Sequence, residues 1–153
     1  MSHSNAAAVH ALSASLGIPL AFDDEGICEM VVDDDTTVTL EGDPDGTTMR
    51  VNGIVGDLPD ADSADALRLL LEANFNGQGT GAAALGIDHV TAEIVLGRSV
   101  DVSALGPAGL EQALTEFVNY LSFWRKNLER LATEAGGVGG LDSPWPGDAF
   151  LRA

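Results

Sequence analysis

The residues best suited to chemistry in this chain are its carboxylates. The most ordered set is Glu41-Gly42-Asp43-Pro44-Asp45-Gly46, where oxygen ligands alternate and a glycine holds the sixth position. A calcium loop starts this way, but an EF-hand also needs a bidentate Glu at position twelve and a helix on each side. Here Asn52 falls at the twelfth position and strand-like sequence flanks the loop, so the segment reads as a hairpin turn. Asp33-Asp34-Asp35 gathers three acids, yet carboxylate catalysis needs a pocket that drives two pKa values apart. Three adjacent acids at a turn read as solvated. Gly77-Gln78-Gly79-Thr80-Gly81 has the composition of a phosphate loop. Such loops follow a strand and open a helix, whose N-terminus meets the phosphate. This run does the reverse, and no Gly-Lys-Ser/Thr occurs, so it reads as a flexible connector. His3, His10 and His89 are too scattered for a zinc set. The single Cys28 sits in the apolar run ICEMVV, with Arg50 the nearest Lys or Arg in sequence. A reactive thiol wants cationic neighbours, so Cys28 reads as a small buried hydrophobe. No catalytic residue, metal site or cofactor is expected, and no enzymatic activity.

Composition points to binding instead. Lys plus Arg number 7 against 24 Asp plus Glu, a formal charge of −17, yet 45% of residues are hydrophobic and mean hydropathy is +0.13. Self-repulsion of this size keeps a chain dispersed and turns it away from nucleic acid and anionic membrane. The charge is uneven: residues 23–65 hold 14 of the acids and one base, Arg50. A length of 153 residues suits one domain with a proper core. The N-terminus lacks the basic and apolar regions of a signal peptide. No run approaches the roughly 20 apolar residues of a membrane span, and the lack of any disulfide suits a reducing compartment. The expectation is a soluble, cytoplasmic protein without membrane insertion.

The elements that position these residues follow from periodicity. Ser4 or Asn5 caps a first helix to about Leu16, with Gly17 as its stop. Val9, Leu12 and Leu16 share one face, and Ala7, Ala11 and Ala14 form a second face of small residues. Three strands follow at 27–32, 36–41 and 47–55, with Val38 and Leu40 inward on the second and Met49, Val51 and Val55 on one face of the third. Period-two alternation punctuated by Asp, Gly and Pro is the mark of an antiparallel meander. A second helix at about 64–76, capped by Ser63 and ended by Gly77, carries apolar residues over about 240° of its circumference, against about 100° for an ordinary surface helix. Such a helix is covered on two sides, within the monomer or by a second subunit. Strands at 82–87 and 89–96 come next, the latter with Val90, Ala92, Ile94 and Leu96 on one face. Pro107 then opens the longest helix, in which Leu110, Leu114, Phe117, Leu121, Trp124, Leu128 and Leu131 recur at alternating spacings of four and three, up to Gly136. About 28 residues make a rod of about 42 Å, enough to back a five-stranded sheet. The chain is therefore read as α+β in the order α-β-β-β-α-β-β-α, an antiparallel sheet packed against helices with a long C-terminal helix. The domain occupies residues 1–135, and 136–153 form a Gly/Pro-rich tail in which Trp145, Phe150 and Leu151 are available to dock into a groove.

In this order the elements resemble the class I type III secretion chaperones of the CesT (Tir chaperone) family, over about residues 5–133. The residues that carry the resemblance are Leu16-Gly17, Gly26-Ile27-Cys28, Leu69-Leu70-Leu71-Glu72-Ala73-Asn74-Phe75, and the strand Gly81 to Ile87. The resemblance implies a cytoplasmic homodimer without enzymatic activity. Its partner would be a secreted effector, whose N-terminal segment it keeps soluble, partly unfolded and fit for export, and it admits contact with the secretion apparatus. Carried onto this sequence, Val9, Leu12, Leu16, Ile27, Val31, Val38 and Leu40 would line an effector-binding groove. Leu67, Leu70, Leu71 and Phe75 would form the dimer interface, and an exposed strand edge would accept an effector strand. A different class, an acidic inhibitor mimicking nucleic acid at a basic cleft, needs carboxylates regularly spaced on one exposed face. The sequence concentrates them at turns instead.

Overall fold

The computed structural model describes residues 4–43, 46–58 and 63–133. Its elements are helix α1 (Asn5–Leu16), strands β1 (Ile27–Val32), β2 (Thr36–Gly42) and β3 (Thr48–Asp57), helix α2 (Ser63–Asn74), strands β4 (Ala84–Ile87) and β5 (Glu93–Asp101), and helix α3 (Val102–Thr133). The strands form one sheet in the order β1-β2-β3-β5-β4, with β1–β2 and β2–β3 antiparallel. β4 and β5 are joined by the five residues 88–92, a connection only antiparallel neighbours can make. This is the α+β order read from the sequence. The chain divides into two compact units, residues 1–53 with 97–118 and residues 54–96 with 119–153, so that β3, β5 and α3 contribute to both.

In the first unit, α1 begins where Ser4 Oγ accepts the Ala7 N–H, and it ends at Gly17, which takes up the left-handed conformation. Ala8, Val9 and Leu12 are buried, whereas the small face of Ala7, Ala11 and Ala14 lies largely in solvent. Asn5 ties the helix to the sheet: its N–H donates to Gly46 O at 2.9 Å and its Nδ2 to Thr48 O at 2.9 Å. Cys28 and Met30 on β1, Val38 and Leu40 on β2, and Met49 and Val51 on β3 point inward, as strand alternation requires. Burial pushes the Cys28 thiol above its usual pKa, which suits the inert reading. Glu41 and Asp43, the would-be calcium ligands, instead face Arg50 at 3.0 and 3.8 Å. Pro44 and Asp45 lie outside the described residues.

The long helix is broken near its start. Gly106 has φ 66° and ψ −178°, a conformation that glycine adopts at little cost, so a first turn from Val102 is set off from the regular helix opening at Pro107. Leu110, Leu114 and Phe117 are buried in the first unit, and Leu121, Trp124 and Leu128 in the second. The end of the helix at Gly136, the Leu131 side chain and the tail from 136 to 153 fall outside the described residues or side chains.

Two features of the second unit differ from expectation. The Gly-rich connector after α2 is a stack of hydrogen-bonded turns. Gly79 N donates to Ala73 O, Gly81 N to Gly77 O and Ala83 N to Thr80 O, while Trp124 Nε1 donates to Gly79 O at 2.8 Å in the interior. Local turn bonds and one tertiary partner together order it. The fifth strand also begins at Glu93 and runs on to Asp101, four residues later than its alternation suggests. Asp88 is the cause: its Oδ1 accepts the N–H of Val90 at 2.8 Å, and Ala92 N closes back onto Asp88 O. Val90 and Ala92, expected on the buried face with Ile94 and Leu96, therefore sit in a turn, and Val90 is 78% exposed.

Candidate functional site

Among the described residues no group of three or more His, Cys, Asp or Glu side chains is placed to hold a metal ion, and no helix is long and apolar enough to cross a membrane. What the molecule offers a partner is apolar surface, charge and strand edge.

The seven residues expected to line a groove separate into two groups. Val9, Leu12, Val38 and Leu40 are closed inside the first unit at 1% exposure or less, so they form its core and present no surface. This narrows the expectation, because helix periodicity marks an apolar face without saying which apolar faces stay open. Ile27 is half-buried, while Val31 at 65% and Leu16 at 42% are exposed. Ile18, which the sequence reading passed over, is exposed beyond the end of α1. The signal for it was available: Ile18-Pro19 follows the helix stop, where a large apolar side chain has no regular element to bury it.

The four residues expected at a subunit interface also divide. Leu70 points into its own unit with Ala66 and Ala73. Leu67, Leu71 and Phe75 stand four residues apart along one edge of α2 and its terminal turn. Leu71 is 71% and Phe75 67% exposed, which leaves a large leucine and an aromatic ring without cover. Ile54, Ile87 and Val90 are further exposed apolar side chains of the same unit. The 240° of apolar circumference is thereby resolved: one part faces the core and another part faces outward.

The electrostatics are as uneven as the sequence. Residues 1–49 hold no Lys or Arg, and the exposed acids Asp24, Glu25, Glu29, Asp33 and Asp34 stand along and at the ends of β1. Asp88 and Asp101 are held below the usual carboxylate range. The Val90 and then the Thr91 backbone N–H stabilise the first, and the Ser103 hydroxyl and then the Ala104 N–H the second. Both carboxylates organise turns.

Comparison with known proteins agrees with this architecture. No curated protein matches the sequence significantly. Among solved structures, a chain of the HopA1–SchA chaperone–effector complex is 24% identical with TM-score 0.63, covering 77% of this chain and 90% of that one. A chain of the ExsC–ExsE complex is 21% identical with TM-score 0.65, covering 78% and 89%. A chain from the Yersinia pestis type III secretion chaperone SycH in complex with a fragment of YscM2 is 15% identical with TM-score 0.63, covering 78% and 98%. At these identities the likeness is one of fold. The model of the Tir chaperone protein (CesT) family matches residues 7–125, more than three quarters of the sequence, and the chain belongs to that family.

Proposed function

We propose that this protein is a type III secretion chaperone: a cytoplasmic homodimer, without enzymatic activity, that binds the N-terminal segment of a secreted effector and keeps it soluble and partly unfolded for export. Contact with the secretion apparatus belongs to the same reading. The observation that carries it is the uncovered edge of α2. Leu67, Leu71 and Phe75 face solvent on a chain of net charge −17. Exposed leucines and phenylalanines set in a row mark an interaction site. A dimer would carry −34, twice the charge of one chain. Apolar burial, worth about 25 cal/mol per Å², must then outweigh repulsion. The solved structures sharing the fold include chains from complexes named as chaperone–effector or secretion-chaperone assemblies, which supports the effector as client. Leu16, Ile18, Val31 and Leu105 are the exposed large apolar side chains of the first unit among the described residues, and so are available to it. Val9, Leu12, Val38 and Leu40 would shape that surface from behind.

Co-expression with secreted proteins encoded nearby, followed by size-exclusion chromatography with light scattering, tests the reading. The expected result is one effector per two chaperone chains. A monomer that solubilises none of them overturns it. The acidic-mimic alternative predicts a complex that dissociates fully at about 0.5 M salt, where the Debye length is only a few Å. An apolar contact survives there.

A further inference from the structure

The two outer strands of the sheet are not equally available. A terminal strand presents unpaired N–H and C=O groups that template another chain. On β4 they are taken at Leu85: Asn74 Nδ2 donates to Leu85 O at 2.9 Å, and Leu85 N donates to Asn74 Oδ1 at 2.8 Å. One side-chain amide thus takes the place of a neighbouring strand at this residue of the four-residue β4. On β1 the outward groups of Ile27 are occupied as well, since its N–H donates to Asp23 Oδ1 and its C=O accepts the Asp23 N–H. Antiparallel pairing alternates, so if Ile27 faces outward then Glu29 and Val31 do too, while Cys28, Met30 and Val32 bond to β2. Both Glu29 and Val31 are exposed, and β1 pairs with β2 alone among the described strands.

The charge around this edge is one-sided. Asp24 and Glu25 stand before it, Glu29 in its middle, and Asp33 and Asp34 after it, all exposed. The nearest cation in sequence, Arg50, is engaged with Glu41 and Asp43. We propose that the segment captured along β1 is an extended peptide carrying Lys or Arg at both ends, read by the acidic clusters at the two ends of this open strand edge. The inference rests on the chaperone reading and specifies its client. The strand spans about 17 Å at about 3.3 Å per residue, so the basic positions fall about six to eight residues apart. An apolar client residue beside Val31 completes the pattern. Charge sets register, because the edge offers only the outward groups of two residues and a slip by one would turn every client side chain to the other face.

The probes are two synthetic twelve-residue peptides with one alternating Thr/Val centre, ending in Lys pairs or in Glu pairs. Fluorescence anisotropy on the full chain should show the Lys-ended peptide binding about tenfold tighter or more, a difference that shrinks at about 0.5 M salt. The combined variant Asp24→Asn, Glu25→Gln, Asp33→Asn, Asp34→Asn should remove most of that preference. Asn keeps the positive φ of 49° and 38° at Asp33 and Asp34 tolerable, and Asp23, which caps the turn, is left in place. Amide exchange should slow at Glu29 and Val31 when the Lys-ended peptide binds, and stay unchanged at Leu85. Val31→Pro, which deletes only an outward donor, should abolish binding. If circular dichroism shows that this variant unfolds, the combined charge variant decides. Equal binding of the two peptides, or protection at Leu85 in place of β1, overturns the proposal. An effector held equally well by the charge variant also overturns it and leaves the chaperone reading standing. A chain that holds no effector at all overturns the chaperone reading instead, and the peptides still test the charge rule.

Discussion

The two compact units solve opposite problems. The first, residues 1–53 with 97–118, carries 13 acids against 2 bases, and its large side chains from α1, the meander and the start of α3 are mostly enclosed. The second, residues 54–96 with 119–153, carries 11 acids against 5 bases and leaves Ile54, Leu67, Leu71, Phe75, Ile87 and Val90 exposed. Among the described residues, the unit with less net charge is the one with more exposed large apolar side chains. That pairing would favour the proposed association of like-charged copies, because repulsion would be least at the surface to be buried. The more acidic unit, with its open β1 edge, is better suited to a client of opposite charge.

The sharpest way to break this comparison is to place charge on the exposed edge of α2. Leu71→Asp with Phe75→Asp should weaken the dimer by about 100-fold or more, as loss of two central apolar contacts does, while circular dichroism stays unchanged. Light scattering across a dilution series is the check, and an unaltered dimer would mean that copies meet elsewhere. Leu70→Asp is not equivalent, since Leu70 is buried and its loss would unfold the unit before testing association.

Next in size is the closed core of the first unit. Leu12→Ala should cost about 2–5 kcal/mol of stability, whereas Leu16→Ala, at an exposed position, should cost less than about 0.5 kcal/mol. Denaturant melts separate the two, and client capture should fall with Leu16→Ala at unchanged stability. A smaller loss, about 1–3 kcal/mol, is expected for Gly56→Ala in the second unit. Its φ of 152° disfavours a side chain, and a Cβ there would stand 2.8 Å from Leu128 Cδ2.

The smallest effect concerns the turn that displays Val90. The folded Asp88 pKa lies below its usual value, so its contribution to stability is present above the ordinary carboxylate range and is lost as pH falls through that range towards the depressed pKa. Asp88→Asn should remove this part of the acid sensitivity of the β4–β5 turn, read by amide exchange at Val90 and Thr91 between neutral and acidic pH. An unchanged profile would show that the carboxylate charge does not hold the turn.

Much of the fold was legible in residue order. Ser4 and Gly17 set the ends of α1, alternation in 36–41 placed Val38 and Leu40 inward, and the four–three spacing from Leu110 to Leu128 set the buried stripe of α3, because caps and periodicities are local properties. The candidate site was less legible. Val9 and Leu40 looked like groove walls and are core, while Leu67 and Leu71 carry the same side chain as buried Leu70 and face the other way. A pattern of apolar residues fixes how much greasy surface exists but not which part of it remains uncovered.

By itself, the sequence determined the element order, which depends on neighbours a few residues apart, and the acidic balance, which is a sum over residues wherever they lie. Tertiary structure alone decided that Trp124 bonds to the Gly77–Gly81 turns, that Asn74 occupies Leu85 on the β4 edge while β1 pairs with β2 alone among the described strands, and that α2 keeps an uncovered row of side chains. Those outcomes join residues up to 45 positions apart, and the hydrogen bonds and burial that settle them exist only once distant segments meet.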